Sequence, residues 1–324
     1  MEKLTVGFDL GGTKMLCALV DGSGKILVRT KRKTKGAEGP QVITDEIIAT
    51  IREALSLIQK LPEDLEAIGL AIPGLLDRAK GRVIHTPNLG FENFPLVEKL
   101  KKVFPVPIFL ENDVNAGVYG EFISGAAKGF NSVLGVFPGT GIGGGLILNG
   151  KLHRGASGNA GEFGHMTIQL EGPSCGCGEK GHVEGMASRS AMSREAAGLI
   201  ASGAINGALG EYGSNVKDLS SKFFAEGLKL RNPQVVSIID RAADHLGVAL
   251  AGAINLLDPE LVVLGGGLVE KLGDYYIKAV EKSLRSRAMP FIVKTTKVRG
   301  AQLGDDAGVL GAAFLARDFA REGS

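Results

Sequence analysis

A strand, glycine-rich turn, strand pattern occurs twice in this chain, and its repetition limits the folds open to it. Residues 4–8 and 15–20 are apolar, β-rich runs on either side of Gly11-Gly12. Ser132–Phe137 opens a second unit, which passes through Gly139-Thr-Gly-Ile-Gly-Gly-Gly145 and runs on to residue 148. Apolar runs bounded by glycine read as strands, and short turns between consecutive strands make them antiparallel. Lys25–Thr30, after the turn Asp21-Gly-Ser-Gly24, extends the first unit to a meander. Two such units with helices between them are expected to build two similar α/β halves facing a cleft.

Apolar residues from Val42 to Ile58 recur at helical spacing and predict a helix over about 41–59. Buried strands follow at 67–72, ended by Pro73-Gly74, and at 106–110, ended by Glu111-Asn112-Asp113, with a helix at about 95–103 between them. Ligand groups in open α/β sheets collect at such C-terminal strand ends. Beyond the second glycine unit the chain reads as helix-rich, with a long helix at about 234–257, a strand at 261–264 and a closing helix from 306. The domain boundary is expected within 115–130. This gives a small N-terminal α/β domain over 1–118, onto which a helix at about 306–322 packs back, and a larger α/β domain over 119–305.

Composition narrows the function classes. A chain of 324 residues allows about two domains of ~100–200 residues. With 44% hydrophobic and 22% charged residues it can bury a large core. Its 37 basic and 35 acidic residues leave a net charge of +2, with only Lys31-Arg32-Lys33 clustered, and no nucleic-acid footprint follows. Lys31–Lys33 reads as a solvated strand edge. Three cysteines, two of them one residue apart, do not make a secreted disulfide framework. Neither a signal-peptide core nor an apolar run of ~18 residues is found, so a cytoplasmic protein without membrane partners is expected.

Glycine, at 48 of 324, is about twice its usual ~7% and is concentrated in loops, which implies backbone approaching a ligand closely. In Asp9-Leu-Gly11-Gly12-Thr13-Lys14 the glycines leave backbone N–H groups open to a phosphate, Thr13 and Lys14 add donors, and Asp9 is suited to the magnesium ion of a nucleotide. Gly-Gly by itself is better explained by an ordinary hairpin; the flanking Asp and Thr-Lys weigh against that and toward the phosphate. Gly139, Gly141 and Gly144 match G-x-G-x-x-G, but a dinucleotide fingerprint must open a helix, and Leu146–Gly150 continues as a second strand into a turn. Gly139, Thr140 and Gly141 are therefore assigned to a second phosphate or substrate loop. Gly265-Gly266-Gly267 reads either as a tight strand-to-helix connection or, beside the other two loops, as room for adenosine.

Phosphoryl transfer needs positioning, charge neutralisation and one acceptor for the proton of the attacking hydroxyl. Asp113 at a strand end suits that base and Asn112 a hydrogen-bonding positioner; Asn-Asp on its own is more often a helix cap or turn, and the glycine loops favour the functional reading. Cys175 and Cys177, with His165 ten residues before and His182 five after, supply a tetrahedral zinc set with no open position, hence a structural ion. The other reading is a glycine-rich loop with two free thiols. Zinc would orient His165 and leave its second nitrogen for a substrate hydroxyl, while Glu162 and Glu184 flank the knot as acceptors for sugar hydroxyls.

These segments in this order, with Ala71-Ile-Pro-Gly74, Pro87-Asn-Leu-Gly90 and Gly161-Glu-Phe-Gly-His165, resemble the ROK (repressor, open reading frame, kinase) family over nearly the whole chain, most closely its bacterial glucokinases. The resemblance implies a two-domain ribonuclease-H-like (actin/hexokinase) fold that binds ATP with Mg2+ and a sugar in its cleft. It implies Asp113 as general base, with Gly74, Asn88, Asn112, Glu162, His165 and Glu184 at the sugar and Asp9 with Gly11 to Lys14 at the phosphates. A structural Zn2+ and a homodimer or homotetramer are implied too. The family's zinc loop usually runs Cys-x-Cys-Gly-x-x-Gly-Cys-x-Glu; His182 stands here at the last cysteine, and Cys2His2 coordination is expected.

The leading expectation is phosphorylation of a hexose, foremost glucose at its 6-hydroxyl. The alternatives are an N-acetylglucosamine or N-acetylmannosamine kinase of the same family and a noncatalytic sugar sensor. A sugar-responsive repressor would carry an added N-terminal helix-turn-helix, whereas here the first strand begins almost at Met1.

Overall fold

A computed structural model describes residues 3–322. The chain divides into two compact units: the first runs through Lys128 and also takes in Gly155–Asn159 and the segment from Asp305, and the second comprises Gly129–Arg154 and Ala160–Gly304.

In the first unit β1 (Leu4–Leu10), β2 (Lys14–Val20) and β3 (Ile26–Lys33) form the expected antiparallel meander. After helix α1 (Pro40–Leu57), β4 (Leu65–Ile72) pairs parallel with β1. β5 (Leu75–Asp77), β6 (Arg82–His85) and β7 (Glu92–Phe94) make a small separate sheet. Past α2 (Leu96–Lys101), β8 (Ile108–Asn112) pairs parallel with β4 and runs directly into α3 (Asp113–Ser124). The main sheet order is β3-β2-β1-β4-β8. Lys31–Lys33 therefore lie on an edge strand, as expected, and Arg32 is held by Glu46 and Glu53 of α1.

The last helix, α10 (Asp306–Glu322), packs on this same sheet. A Cβ on Gly7 of β1 would lie 1.8 Å from Val309 O, and one on Gly69 of β4 would lie 1.9 Å from Ala312 O. Only glycine lets the helix approach so closely. The expected boundary at 118/119 falls inside α3, which continues unbroken to Ser124.

The second unit repeats the plan. β9 (Val133–Pro138), β10 (Ile142–Leu148) and β11 (Lys151–Leu152) are antiparallel neighbours; β12 (Leu261–Leu264) and β13 (Lys297–Gly300) join parallel, in the order β11-β10-β9-β12-β13. Its helices are α4 (Val183–Ala187), α5 (Arg189–Ala201), α6 (Ser221–Lys229), α7 (Pro233–Leu257), α8 (Gly266–Arg285) and α9 (Pro290–Val293). α7 buries Val235, Ile238, Ile239, Ala242, Leu246 and Leu250 along one stripe, the mark of a helix whose apolar face lies on the core. Gly144, the third glycine of the apparent dinucleotide fingerprint, lies within β10, so no helix opens there.

Candidate active site

The parallel strands of the first unit bring its functional segments to one end. Asp9 of β1 stands in register with Ala71 of β4, and Ala71 with Glu111 of β8. The chain beyond each strand therefore leaves from the same edge. The Gly11-Gly12 turn follows β1, Gly74 follows β4, and Asn112-Asp113 end β8. Gly74 adopts φ +96, and a Cβ there would lie 2.2 Å from His85 O, so the turn itself demands glycine.

Asn112 caps α3: its side-chain oxygen accepts from Val114 N at 3.0 Å and Asn115 N at 3.2 Å. Asp113, half-buried, is the first helical residue, and Val114 N also donates to its Oδ1 at 3.0 Å. The cap and the candidate base are thus one local structure. Asn88 is exposed in the turn between β6 and β7, a turn closed by Thr86, whose N–H donates to Phe91 O at 3.2 Å and whose hydroxyl accepts from Phe91 N at 3.1 Å.

The first glycine turn is tight, with Gly11 N donating to Lys14 O at 2.9 Å, and it is braced by the Thr34 hydroxyl on Gly11 O at 2.7 Å and by Thr34 N on Thr13 O at 3.0 Å. Gly12 and Thr13 are exposed. A Cβ on Gly12 would meet nothing within 4 Å, so the packing of the protein does not account for glycine there. Lys14 pairs with Asp305 in an exposed ion pair, of a kind that is readily exchanged for another anion. Withdrawal from water, followed by the negative charge of Asp113, pushes the Asp9 carboxyl up to about 7; Lys14 opposes the shift and Asp305 adds to it. Asp9 and Asp113 thus act on each other electrostatically, and a cation beside Asp9 would relieve the penalty.

In the second unit the turn between β9 and β10 is held by α5. Arg189 N donates to Gly139 O at 2.9 Å, Ser190 Oγ donates to Thr140 O at 2.7 Å, and the Arg189 guanidinium reaches the Thr140 hydroxyl. Gly265 caps α8, and its N–H donates to Val136 O at 3.1 Å. A Cβ on Gly265 would come within 2.8 Å of the Phe137 ring, and one on Gly266 within 2.8 Å of Pro138 O. The second and third glycine loops are therefore in contact, while Gly267 lies in the first turn of α8, at the positive end of the helix dipole.

His165, Cys175, Cys177 and His182 converge, with ligand atoms all within 4.8 Å of one another. Cys175 Sγ lies 3.7 Å from His165 Nδ1, and Cys177 Sγ lies 3.3 Å from His182 Nδ1. A tetrahedral zinc ion with bonds of about 2.1–2.3 Å has edges of about 3.4–3.8 Å, so the donor set fits the ion by chemistry and these two His–Cys pairs lie near its edge length. Burial first, with Glu184 nearby, pushes the Cys175 thiol up to about 11; a metal would have to displace that proton. His165 turns Nδ1 to the knot and Nε2 toward Glu162 Oε2 at 3.8 Å. Glu162 is exposed. Glu184 has engagements beyond the expected sugar: Oε2 accepts from Ile142 N at 2.8 Å and Oε1 accepts from Cys175 Sγ at 3.4 Å, which ties the knot to the β9–β10 turn.

Arg78, Arg189 and Asp305 escaped sequence reasoning. Each acts on a residue remote in the chain, Arg78 on Glu111 at a separation of 33 and Asp305 on Lys14 at 291, and no local pattern announces them.

Two sheets of one strand order, each carrying a glycine-turned hairpin, form the two-domain actin/hexokinase-like architecture of sugar kinases. A crystal structure of a ROK family glucokinase from Streptomyces griseus, in complex with glucose and AMPPNP, matches with a TM-score of 0.84 at 34% identity, covering 97% of this chain and 99% of that one. In sequence the chain is 34% identical over 317 residues to a glucokinase of Halalkalibacterium halodurans, covering 98% of this chain and 96% of the relative. It is 30% identical over 311 residues to an N-acetylmannosamine kinase of Vibrio cholerae, covering 96% and 98%. The ROK family profile matches residues 5–319; the chain belongs to the ROK family.

Proposed function

We propose that this protein is an ATP-dependent hexokinase of the glucokinase type, transferring the γ-phosphoryl group of MgATP to the 6-hydroxyl of glucose. The observation that carries the reading is the strand register that brings Asp9 of β1, with the glycine turn after it, and Asn112-Asp113 at the end of β8 to one end of the same sheet. Asp113 takes the proton of the attacking hydroxyl, and Asn112 orients the sugar through the amide nitrogen that its capping oxygen leaves over. Gly74, Asn88, Glu162, His165 and Glu184 contact sugar hydroxyls. Each such contact matters because a buried, unpaired hydroxyl costs ~1–3 kcal/mol.

Gly11, Gly12, Thr13 and Lys14 cradle phosphates, with Asp9 on the magnesium ion; Gly139, Thr140, Gly141 and Gly265–Gly267 serve the rest of the nucleotide. His165, Cys175, Cys177 and His182 hold one zinc ion, which stiffens the loop that carries His165 and Glu184. Leu256, Met289 and Phe291 are exposed on the second unit and support association into a homodimer or homotetramer. None of the described helices is long and apolar enough to cross a membrane, and we place the protein in the cytoplasm.

The test is ADP release with MgATP against glucose, mannose, N-acetylglucosamine and N-acetylmannosamine. A kcat/KM for glucose well above the rest is expected. Preference for an N-acetyl sugar would move the substrate while keeping the chemistry, and silence with every sugar would leave a noncatalytic sensor.

A further inference from the structure

Glu111 is a carboxylate with no exposed surface, and a buried charge is tolerated only where it is met and hydrogen-bonded. Arg78 meets it through Nε at 3.0 Å and Nη2 at 2.5 Å, both on Oε1. The same oxygen accepts from Asn112 N at 2.9 Å and from Asn115 Nδ2 at 3.2 Å. Asn112 and Asn115 are also bonded to each other across the cap of α3, and Asp113 lies between them. The remaining guanidinium nitrogen, Nη1, donates to Gly158 O at 2.8 Å. One arginine therefore uses its whole fork to hold a single carboxylate oxygen and a loop carbonyl, a task that the point charge of lysine cannot reproduce.

We propose that Arg78 and Glu111 are positioning residues for the phosphoryl transfer. The guanidinium neutralises Glu111 and fixes its Oε1, and Oε1 fixes the backbone and side chain of the turn that aims the Asp113 carboxylate. Loss of Arg78 removes the guanidinium from a buried carboxylate two residues from the base and releases that turn. This rests on the kinase reading with Asp113 as base; it adds the residues that hold the base in place.

The test compares kcat and both KM values, per folded enzyme as judged by calorimetry at the assay temperature. The variants are Arg78→Met, Glu111→Gln, Arg78→Lys and the charge-balanced double Arg78→Met/Glu111→Gln. Because a displacement of about 1 Å costs on the order of 10²-fold, the single changes to Met and Gln are expected to lower kcat by about 10–100-fold with KM for MgATP nearly unchanged. Arg78→Lys falls between, and the double variant recovers part of the loss, as coupled residues do. Folded single variants with wild-type kcat, or a double variant that loses the product of the two single effects, would overturn the positioning role and leave a pair that only supports the fold. If Arg78→Met does not fold, Arg78→Lys and Glu111→Gln carry the same comparison. A wild type silent with every sugar sinks the kinase reading and this proposal with it, whereas an active wild type with unaffected variants sinks the proposal alone.

Discussion

The Nδ1 atoms of His165 and His182 lie 3.4 Å apart. Two imidazoles approach in this way when one ring donates to the other or when both face one ion, and the thiols of Cys175 and Cys177 beside them complete the second arrangement. Purified protein should therefore hold about one zinc per chain in this four-ligand site. His182→Cys should keep the metal and His182→Ala should lose it with a lowered Tm, read by metal analysis and thermal unfolding. Folded, active protein without zinc would remove the ion from the account.

Asp113→Asn preserves the shape of the first turn of α3 but removes the proton acceptor. A fall in kcat of about 10²–10⁴-fold is expected, while calorimetric glucose binding stays within a few-fold of wild type. Unchanged turnover would take Asp113 out of the base's role.

The glycines of the two hairpins should respond differently to a methyl group. Gly12→Ala meets nothing within 4 Å and should leave Tm unchanged while raising KM for MgATP, on the order of tenfold if it displaces one phosphate hydrogen bond worth about 1.5 kcal/mol. Gly141→Ala would put its Cβ 2.4 Å from Glu184 Oε2 and should lower Tm. Equal effects on Tm would contradict the distinction.

Burial holds the His245 imidazole below its usual value, with Arg241 acting the same way and Asp244, Glu195 and a bond to the Met186 backbone opposing. The unfolded chain then binds the proton more readily than the folded one as pH falls below about 6.5. Stability is complete above that value and declines as pH falls through the depressed folded pKa. His245→Gln should flatten this part of the Tm–pH profile, and an identical slope in the variant would show that His245 does not titrate on unfolding.

Much of the architecture was legible because it is written in local patterns. The alternation around Gly11-Gly12 and Gly139–Gly145 marked both hairpins, helical spacing marked α1 and α7, and the strand after Leu146 excluded a dinucleotide turn. The short strands β5, β6 and β7 were missed, since runs of three or four residues carry too little periodicity to be read. The candidate site was legible where its members are close in the chain. Cys175, Cys177 and His182 announce a knot by spacing, and Asn112-Asp113 announce themselves by following a buried strand.

By itself the sequence determined the repeated α/β plan, the glycine turns and the identity of the candidate base and metal ligands, because these depend on backbone preference and side-chain chemistry over a few neighbouring residues. Only the tertiary structure decided that Arg78 neutralises Glu111, that Lys14 answers to Asp305, that Glu184 ties the knot to Ile142 N and that Asp9 is pushed up by burial and then by Asp113. The strength of a charge depends on burial and on whichever partners the fold brings within a few ångströms. Parallel strand pairing and helix docking bring together residues that the chain itself keeps far apart.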